Sequence, residues 1–297
     1  MNFQDVEKAR IKYKNIIIRD IVIVFSTEIG IIAFVLLCAK VAGYESLFKT
    51  APVLAIGTII CMTIIIISIM ISFIKNKAKE YKKIYKAYFV KQTATQFLKD
   101  LSYSHEKGLD IKILSDTQMI NTGDRYLSND LMTGKYKDVT FTQSDVTIEK
   151  EIEWENSYSY YKIFKGQFII IDFPKKFNYR LEVVSNSFRA NRIPNSFKRF
   201  EVESPEFNKK FKIYSNDGFE TFYLLDPTII TKIEKLSLKY NKKMIICFND
   251  NKICIGIDSK KDLFEPPCPF RKTSEKEEAN KIQKHVKLIT NFIDGLL

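Results

Sequence analysis

Histidine occurs only twice in this chain of 297 residues, tryptophan once, cysteine five times, proline eight times and glycine ten times. Each scarcity closes off a class of chemistry. His105 and His285 lie far apart in sequence, no HExxH is present, and a histidine metal site or a Ser-His triad has little to work with. The glycines never cluster, so neither GxxxxGK[ST] nor GxGxxG occurs and no backbone cradle for a phosphate is expected. The cysteines, Cys38, Cys61, Cys247, Cys254 and Cys268, show no CxxC spacing. An odd, sparse set argues against a disulfide scaffold and fits a reducing compartment. No cofactor and no metal are expected.

What the chain has in abundance is lysine and isoleucine. Lys and Arg number 47 against 35 Asp and Glu, a net charge of +12. Through Asp110 there are 16 basic and 9 acidic residues, so the surplus is densest in the first third. The bias toward Lys, Ile and Asn matches the drift of an AT-rich genome, which inflates lysine everywhere. A nucleic-acid surface needs a basic stripe interleaved with aromatics on one face. None is seen, and no nucleic-acid partner is expected.

The longest apolar run, Ala51 to Ile74, reads APVLAIGTIICMTIIIISIMISFI and holds no charge. A second, Ile21 to Ala39, reads IVIVFSTEIGIIAFVLLCA. About 20 apolar residues suffice to cross a bilayer core. Lys8, Arg10, Lys12, Lys14 and Arg19 precede the first run, and a burst of lysines follows the second. Basic flanks mark the cytoplasmic side. The pattern therefore predicts a two-helix transmembrane hairpin, with helices over about 21–41 and 51–74 and the short connection Val41–Thr50 outside. It places the chain in the plasma membrane as a multi-pass protein with both termini cytoplasmic. Glu28 lies inside the first run, and a carboxylate there is a candidate functional group by position. Lys75, Lys77, Lys79, Lys82, Lys83 and Lys86 are candidate ligands for anionic lipid headgroups, each adding about 1 kcal/mol near such a surface.

Expected organisation is then a basic N-terminal segment (1–20), the membrane hairpin (21–74), a basic helical stalk (75–107) and a cytoplasmic α+β domain (108–297) with a mainly antiparallel sheet and packed helices. Val146, Ile148, Ile152 and Trp154 recur at strand spacing, and Tyr161–Phe173 reads as the strand that pairs back. Between them lies a Tyr-rich turn, and Trp154 with its tyrosines forms either a recognition tip or a cover for the sheet edge. Ser204-Pro205 and Asp226-Pro227 are helix starts. Phe211–Ser215 and Phe219–Leu225 read as two strands around the turn Asn216-Asp217-Gly218. Met244–Ile257 reads as a hairpin turning at Asp250-Asn251, with Phe248 facing Ile253 and Cys247 opposite Cys254. Ser274 with Glu277 is a capping box for a last helix with Ile282, Val286, Ile289, Ile293 and Leu296 on one face. Both histidines are expected in solvated helices. The one dense polar group before a strand is GDRYLSND, which offers Asp124, Arg125 and Asp130 as a candidate site.

The stretches GDRYLSNDLMTGKYKDVTF, IFKGQFIIIDFPKKF, VESPEFNKKFKIYSND, YLLDPTIITKIEKL and NKICIGIDSKKDLFEP occur in this order. With the apolar hairpin before them, they make the chain resemble an uncharacterised bacterial family of two-helix membrane proteins, a domain of unknown function. The resemblance implies architecture and location, and no catalytic residues. It also implies a LemA-type membrane protein as a partner, by gene neighbourhood. The function these readings favour is a membrane-anchored cytoplasmic interaction or scaffold module for a protein partner. The alternatives are an enzyme of unknown reaction at the membrane, which a crowded pocket of carboxylates with raised pKa would promote, and an oligomeric transporter or channel subunit. Anionic membrane lipids and further copies of the chain are the other expected partners.

Overall fold

The structure, a computed structural model, describes residues 2–41, 52–154, 157–240 and 243–296. The chain divides into two compact units, Met1–Tyr88 with Pro266–Ser274, and Phe89–Glu265 with Glu275–Leu297.

The first unit is helical. Helix α1 spans Phe3–Val41, and α2 spans Pro52–Ala94 and runs on past this unit. Asn2 and Asp5 open α1 with reciprocal bonds: the Asn2 Oδ1 accepts from the Asp5 N–H at 3.0 Å, and the Asp5 Oδ2 accepts from the Asn2 N–H at 2.8 Å. This is the geometry of a capping box, which satisfies otherwise orphaned helix donors. Val6, Arg10, Tyr13 and Ile17 recur at helical spacing and are buried. Tyr13 stacks on Tyr81 at 5.9 Å, and its hydroxyl donates to the Ile74 carbonyl at 3.2 Å. Lys12 pairs with Glu80 at 3.1 Å. The stretch that reads as a basic flank is thus one face of a packed helix pair. Arg10 is held by the Glu7 carboxylate and donates to the Pro269 carbonyl. Its hydrogen bond draws the Glu7 carboxyl below the usual range.

The predicted transmembrane hairpin, and the multi-pass location with it, is corrected. Among the described residues no helix is long and apolar enough to cross a membrane. In α1 Glu28 interrupts the described apolar stretch, and the charged pair Arg19-Asp20 stands just before it. In α2 the described side chains include the polar Thr63, Ser68 and Ser72 among the isoleucines. Residues 42–51, the expected outer turn, lie outside the described residues, as do the side chains of Cys38, Thr58, Lys75 and Lys77. Val22, Phe25, Ile29, Ile64 and Ile69 of these helices are exposed. Glu28 is half-buried on α1, with its Oε1 buried and without a hydrogen-bond partner among the described residues. Of the lysines proposed for headgroups, Lys79 and Lys83 are exposed, Lys82 is half-buried and Lys86 is buried.

In the second unit the expected stalk ends early. Helix α2 stops at Ala94, and strand β1 follows at Lys99–Ser104. His105 therefore lies just beyond a strand, not in a helix. Next come the short helix α3 (Ile111–Thr117), capped by Asp110, then β2 (Arg125–Tyr136), β3 (Val139–Trp154) and β4 (Ser157–Ser185). The chain continues with β5 (Lys198–Phe200), α4 (Pro205–Lys210), β6 (Phe211–Ser215), α5 (Gly218–Leu224), α6 (Pro227–Lys239), β7 (Met244–Ile257) and α7 (Glu275–Leu296). The strands form an antiparallel sheet in the order β1-β2-β3-β4-β6-β5, with β7 also on β4. The α+β class and the antiparallel sheet are as expected.

Strand β4 is the spine. Its first half pairs with β3, from Ser157 opposite Trp154 to Ile171 opposite Phe141. Its middle and second half pair with β7, from Gln167 opposite Ile257 to Val184 opposite Ile245, and Leu181–Ser185 also pair with β6. The predicted hairpin within Met244–Ile257 does not form. That segment runs on as one strand along β4, with register shifts near Asp250, whose φ is +52°. A long partner strand buries both apolar runs, Met244–Phe248 and Ile253–Ile257, whereas folding back would leave each with one open edge. Cys247 consequently lies opposite Glu182 and Cys254 opposite Ile170. Gly166 permits the approach of β4 to the end of β7: a Cβ there would stand 1.9 Å from the Ile257 carbonyl oxygen.

Alternation on the strands gives two apolar faces. One packs Val146, Ile148, Phe164, Phe168, Ile170 and Ile245 with Leu114, Met119 and Phe188. On the other, Phe141, Ile169, Ile171, Ile253 and Ile255 are buried. Helices α6 and α7 bury Ile230, Ile233, Ile282, Val286, Ile289 and Ile293, the faces their spacing predicts. The two helices meet where Tyr240 stacks on Phe292 at 5.5 Å.

Candidate functional site

A chemical site needs reactive groups that a substrate can reach. The most perturbed groups sit on the second sheet face. Asp145 is 1% exposed, and burial pushes its carboxyl up to about 7. The nearby Asp130 and Asp262 add to the rise, and the Leu263 N–H, donating at 2.9 Å, works against it. The Gln167 Nε2 donates to the other Asp145 oxygen at 3.3 Å. Asp130 is also fully buried, at a positive φ in the β2 register shift, and accepts from the Tyr103 hydroxyl at 2.5 Å and from the Asn129 amide at 2.7 Å. Burial beside Asp130 holds the Tyr103 hydroxyl well above its usual pKa. Gln143, two residues along from Asp145 on the same face, has neither amide atom hydrogen-bonded among the described residues. This cluster is sealed in protein. Arg180 and Glu182 form a second buried pair, where burial raises the Glu182 carboxyl to about 7 against the pull of Arg180. Burial also raises the Cys254 thiol to about 12 and the Cys247 thiol well above its usual value, so neither is a ready thiolate. His285, expected to be solvated, is mostly buried edge-on to Phe264. Burial, with Lys281 and Lys284 beside it, pushes its imidazole down to about 4. Among the described residues no group of acids, cysteines and histidines fits a metal ion.

The accessible unusual feature is the outer end of the β3–β4 ribbon. Strand β2 begins at Arg125, opposite Glu149, and β7 reaches only Gln167 on the other side. Beyond those points residues 150–154 and 157–161 pair with each other alone among the described strands. Opposed residues of an antiparallel pair share a face. One face of this arm carries Lys150, Ile152 and Trp154 with Tyr161 and Ser159. The other carries Glu149, Glu151 and Glu153 with Tyr158 and Tyr160. Toward the tip both faces stand open among the described residues: Trp154 is 62% exposed and Tyr158 is 66% exposed. The Trp154 Nε1 donates to the Ser159 hydroxyl at 3.2 Å, which fixes the indole on its face.

Two of the three residues of the predicted polar group brace the root of this arm. The Asp124 carboxylate accepts from the Glu151 N–H at 2.7 Å. The Arg125 guanidinium lies 4.0 Å from the centre of the Tyr160 ring and 3.4 Å from Glu149. Asp130 belongs to the buried cluster instead, so the structure does not bring the three together. The predicted Tyr-rich turn is largely strand; its alternation, Ser157, Ser159 and Tyr161 against Tyr158 and Tyr160, was the readable signal.

Sequence reasoning missed a second exposed feature. Phe219–Leu225, read as a strand, is mostly helix α5, because Asp217 caps it by accepting from the Glu220 N–H at 3.1 Å. Phe219, Phe222 and Tyr223 recur at helical spacing and stand exposed. Clefts of about 880 Å³ and about 520 Å³ flank the helix.

The molecule so described is an α+β protein whose chemistry-bearing groups are buried and whose exposed anomalies are aromatic. Residues 162–297 match the family described as "Protein of unknown function (DUF3137)". The match begins at the foot of the arm, so β3 and the tip precede it. No curated protein matches. Among solved structures, the crystal structure of the mycobacterial trehalose monomycolate transport factor A, TtfA, is similar over 68% of this chain and 93% of that one. Identity is 10% and the TM-score is 0.37.

Proposed function

We propose that this chain is an interaction module that engages a protein partner through the β3–β4 arm. The observation that carries the reading is the uncovered ribbon itself. A lone two-stranded hairpin is marginally stable in water, and an exposed face bearing Trp154, Ile152 and Tyr161 gains most by being covered. Tryptophan and tyrosine are the residues that dominate protein interfaces. Apart from the Glu151 N–H, which Asp124 takes, the edges of the arm pair with no other described strand, a template for an added one. The alternative of an enzyme is not favoured, because the carboxyls with raised pKa, Asp145 and Glu182, and the neighbouring Asp130 are all buried away from a substrate.

A photo-crosslinking phenylalanine placed at Tyr158 in the intact protein, in its own cells, tests the reading. One crosslinked species of defined mass is expected, weakened by Trp154→Ser and not formed from the same probe at exposed Lys239. A species of twice the chain's mass would identify the partner as another copy. Any other mass would be identified by peptide sequencing, with a LemA-type protein among the candidates. Equal, diffuse crosslinking from both positions would sink the proposal.

A further inference from the structure

The charge of the clefts beside α5 runs against the charge of the chain. The larger cleft lies between Glu201–Ser204, α5 and the start of α6; the smaller lies between Phe173–Tyr179 of β4, α5 and α6, and Asp226 lines both. Among the described residues their walls hold five carboxylates, Glu201, Glu203, Glu220, Asp226 and Glu234, against one cation, Lys176. The whole chain has the opposite balance, 47 basic to 35 acidic residues. Lys210 pairs with Glu234 at 2.7 Å and Arg199 with Glu201 at 3.3 Å across the rim. These are exposed pairs that a competing cation displaces at little cost.

Beneath the acids the walls are apolar. Val202, Leu225 and Ile230 are buried in the larger cleft, and Phe177 and Tyr179 are buried in the smaller. Between them α5 raises Phe219, 81% exposed, and Tyr223, 69% exposed, with Phe222 turned to the larger cleft. A helix ordinarily buries its aromatics, and here Phe219 and Tyr223 stand exposed while Phe222, edge-on to Phe200 at 6.1 Å, is still half exposed, an apolar patch of the kind that marks an interaction surface. Aromatic faces also attract ammonium and guanidinium groups. Acids, rings and an apolar floor together select one chemistry, and they repel nucleic acid and anionic headgroups alike.

We infer that the α5 surface binds a lysine- or arginine-bearing amphipathic segment of a protein partner, its apolar side in the clefts and its cations on the acidic rim. This surface is separate from the arm and stands whether or not the arm binds anything.

Fluorescence anisotropy of the full chain tests it. The probe is a labelled synthetic helix of leucine and lysine, and its control has glutamate in place of lysine. Saturable binding of the lysine peptide is expected, weakening as salt rises, with the glutamate peptide failing to bind. Phe219→Ser with Glu203→Lys should weaken binding at least about tenfold, and Glu220→Lys alone by a smaller factor, with unchanged thermal unfolding in both. Trp154→Ser should leave affinity unchanged, which separates this surface from the arm. Equal binding of the two peptides, or binding indifferent to all cleft substitutions, overturns the inference.

Discussion

Arg125 and Tyr160 clasp the base of the arm: the guanidinium carbon sits 4.0 Å from the centre of the ring, while the Tyr160 hydroxyl donates to Glu151 at 3.0 Å. That hydrogen bond and the Glu151 charge raise the Tyr160 hydroxyl above its usual pKa. The clasp lies where β2 begins, so beyond it the arm has this contact in place of the support that a third strand would give. Arg125→Ala should speed amide hydrogen exchange at 150–154 and 157–161 and leave the rest of the sheet protected. The midpoint of global unfolding should move by no more than about 2 °C. Arg125→Lys should restore little, because an ammonium does not stack as a planar guanidinium does. Uniform exchange across the sheet in Arg125→Ala would show that the arm needs no clasp.

Asp217 decides whether its neighbours are helix or strand. Its carboxylate accepts from the Glu220 N–H, and the Ser215 hydroxyl donates to its carbonyl at 3.0 Å. Loss of an N-cap costs about 1 kcal/mol. Asp217→Ala should therefore fray α5, seen as a loss of amide protection at Thr221 to Leu225, whereas Asp217→Ser should keep most of it. Unchanged protection in Asp217→Ala would mean that packing of Thr221 and Leu225 alone holds the helix.

These two sites show how far the sequence was legible. The proline-bearing helix starts read correctly because their signals are local: Ser204 and Asp226 cap the helices that their spacing predicts. The spacing of Ile282, Val286, Ile289 and Ile293 gave the buried face of α7 for the same reason. The α5 segment misread because FETFYLL carries β-prone aromatics, and the cap of one aspartate outweighed them. The β7 hairpin misread because the turn signal Asn249-Asp250-Asn251 marks a shift of register rather than a reversal, and only β4, far away in sequence, determines which. The membrane hairpin misread because hydropathy was weighed over whole runs, whereas the described apolar part of α1 is bounded by Arg19-Asp20 and interrupted by Glu28. The arm was half legible. Its aromatics were noticed, but whether they cover an edge or stand free depends on where β2 and β7 stop. The buried Asp130 and Asp145 were not legible as neighbours, since a register shift in β2 brings them together.

The approach of β4 to β7 gives a sharper test of the fold. A methyl group at Gly166 would stand 1.9 Å from the Ile257 carbonyl oxygen and 2.8 Å from the Ser259 nitrogen. Both are backbone atoms that no rotamer change can move. Gly166→Ala should thus cost at least about 4 kcal/mol, read as failure to accumulate folded protein or a collapse of the urea midpoint. Near-native stability would mean that the two strands separate there without loss.

Asp145 should make stability depend on pH in the direction opposite to an ordinary carboxylate. Folded, it keeps its proton to about 7, whereas in the unfolded chain it ionises near 4. Between those values the native state binds more protons than the unfolded one, so stability falls as pH rises. Glu182, also raised to about 7, acts in the same sense. His285, held down to about 4, acts in the other: below about 6.5 the unfolded chain takes up a proton that the folded one refuses. The substitution Asp145→Asn isolates the first contribution, because asparagine keeps an acceptor for the Leu263 N–H and cannot ionise. Relative to this variant, the native protein should lose about 2–3 kcal/mol between pH 5 and pH 8, at about 1.4 kcal/mol for each pKa unit. Urea unfolding of both proteins across that range is the measurement. Parallel stability curves would mean that the Asp145 carboxyl finds enough solvent or hydrogen bonding to ionise in place.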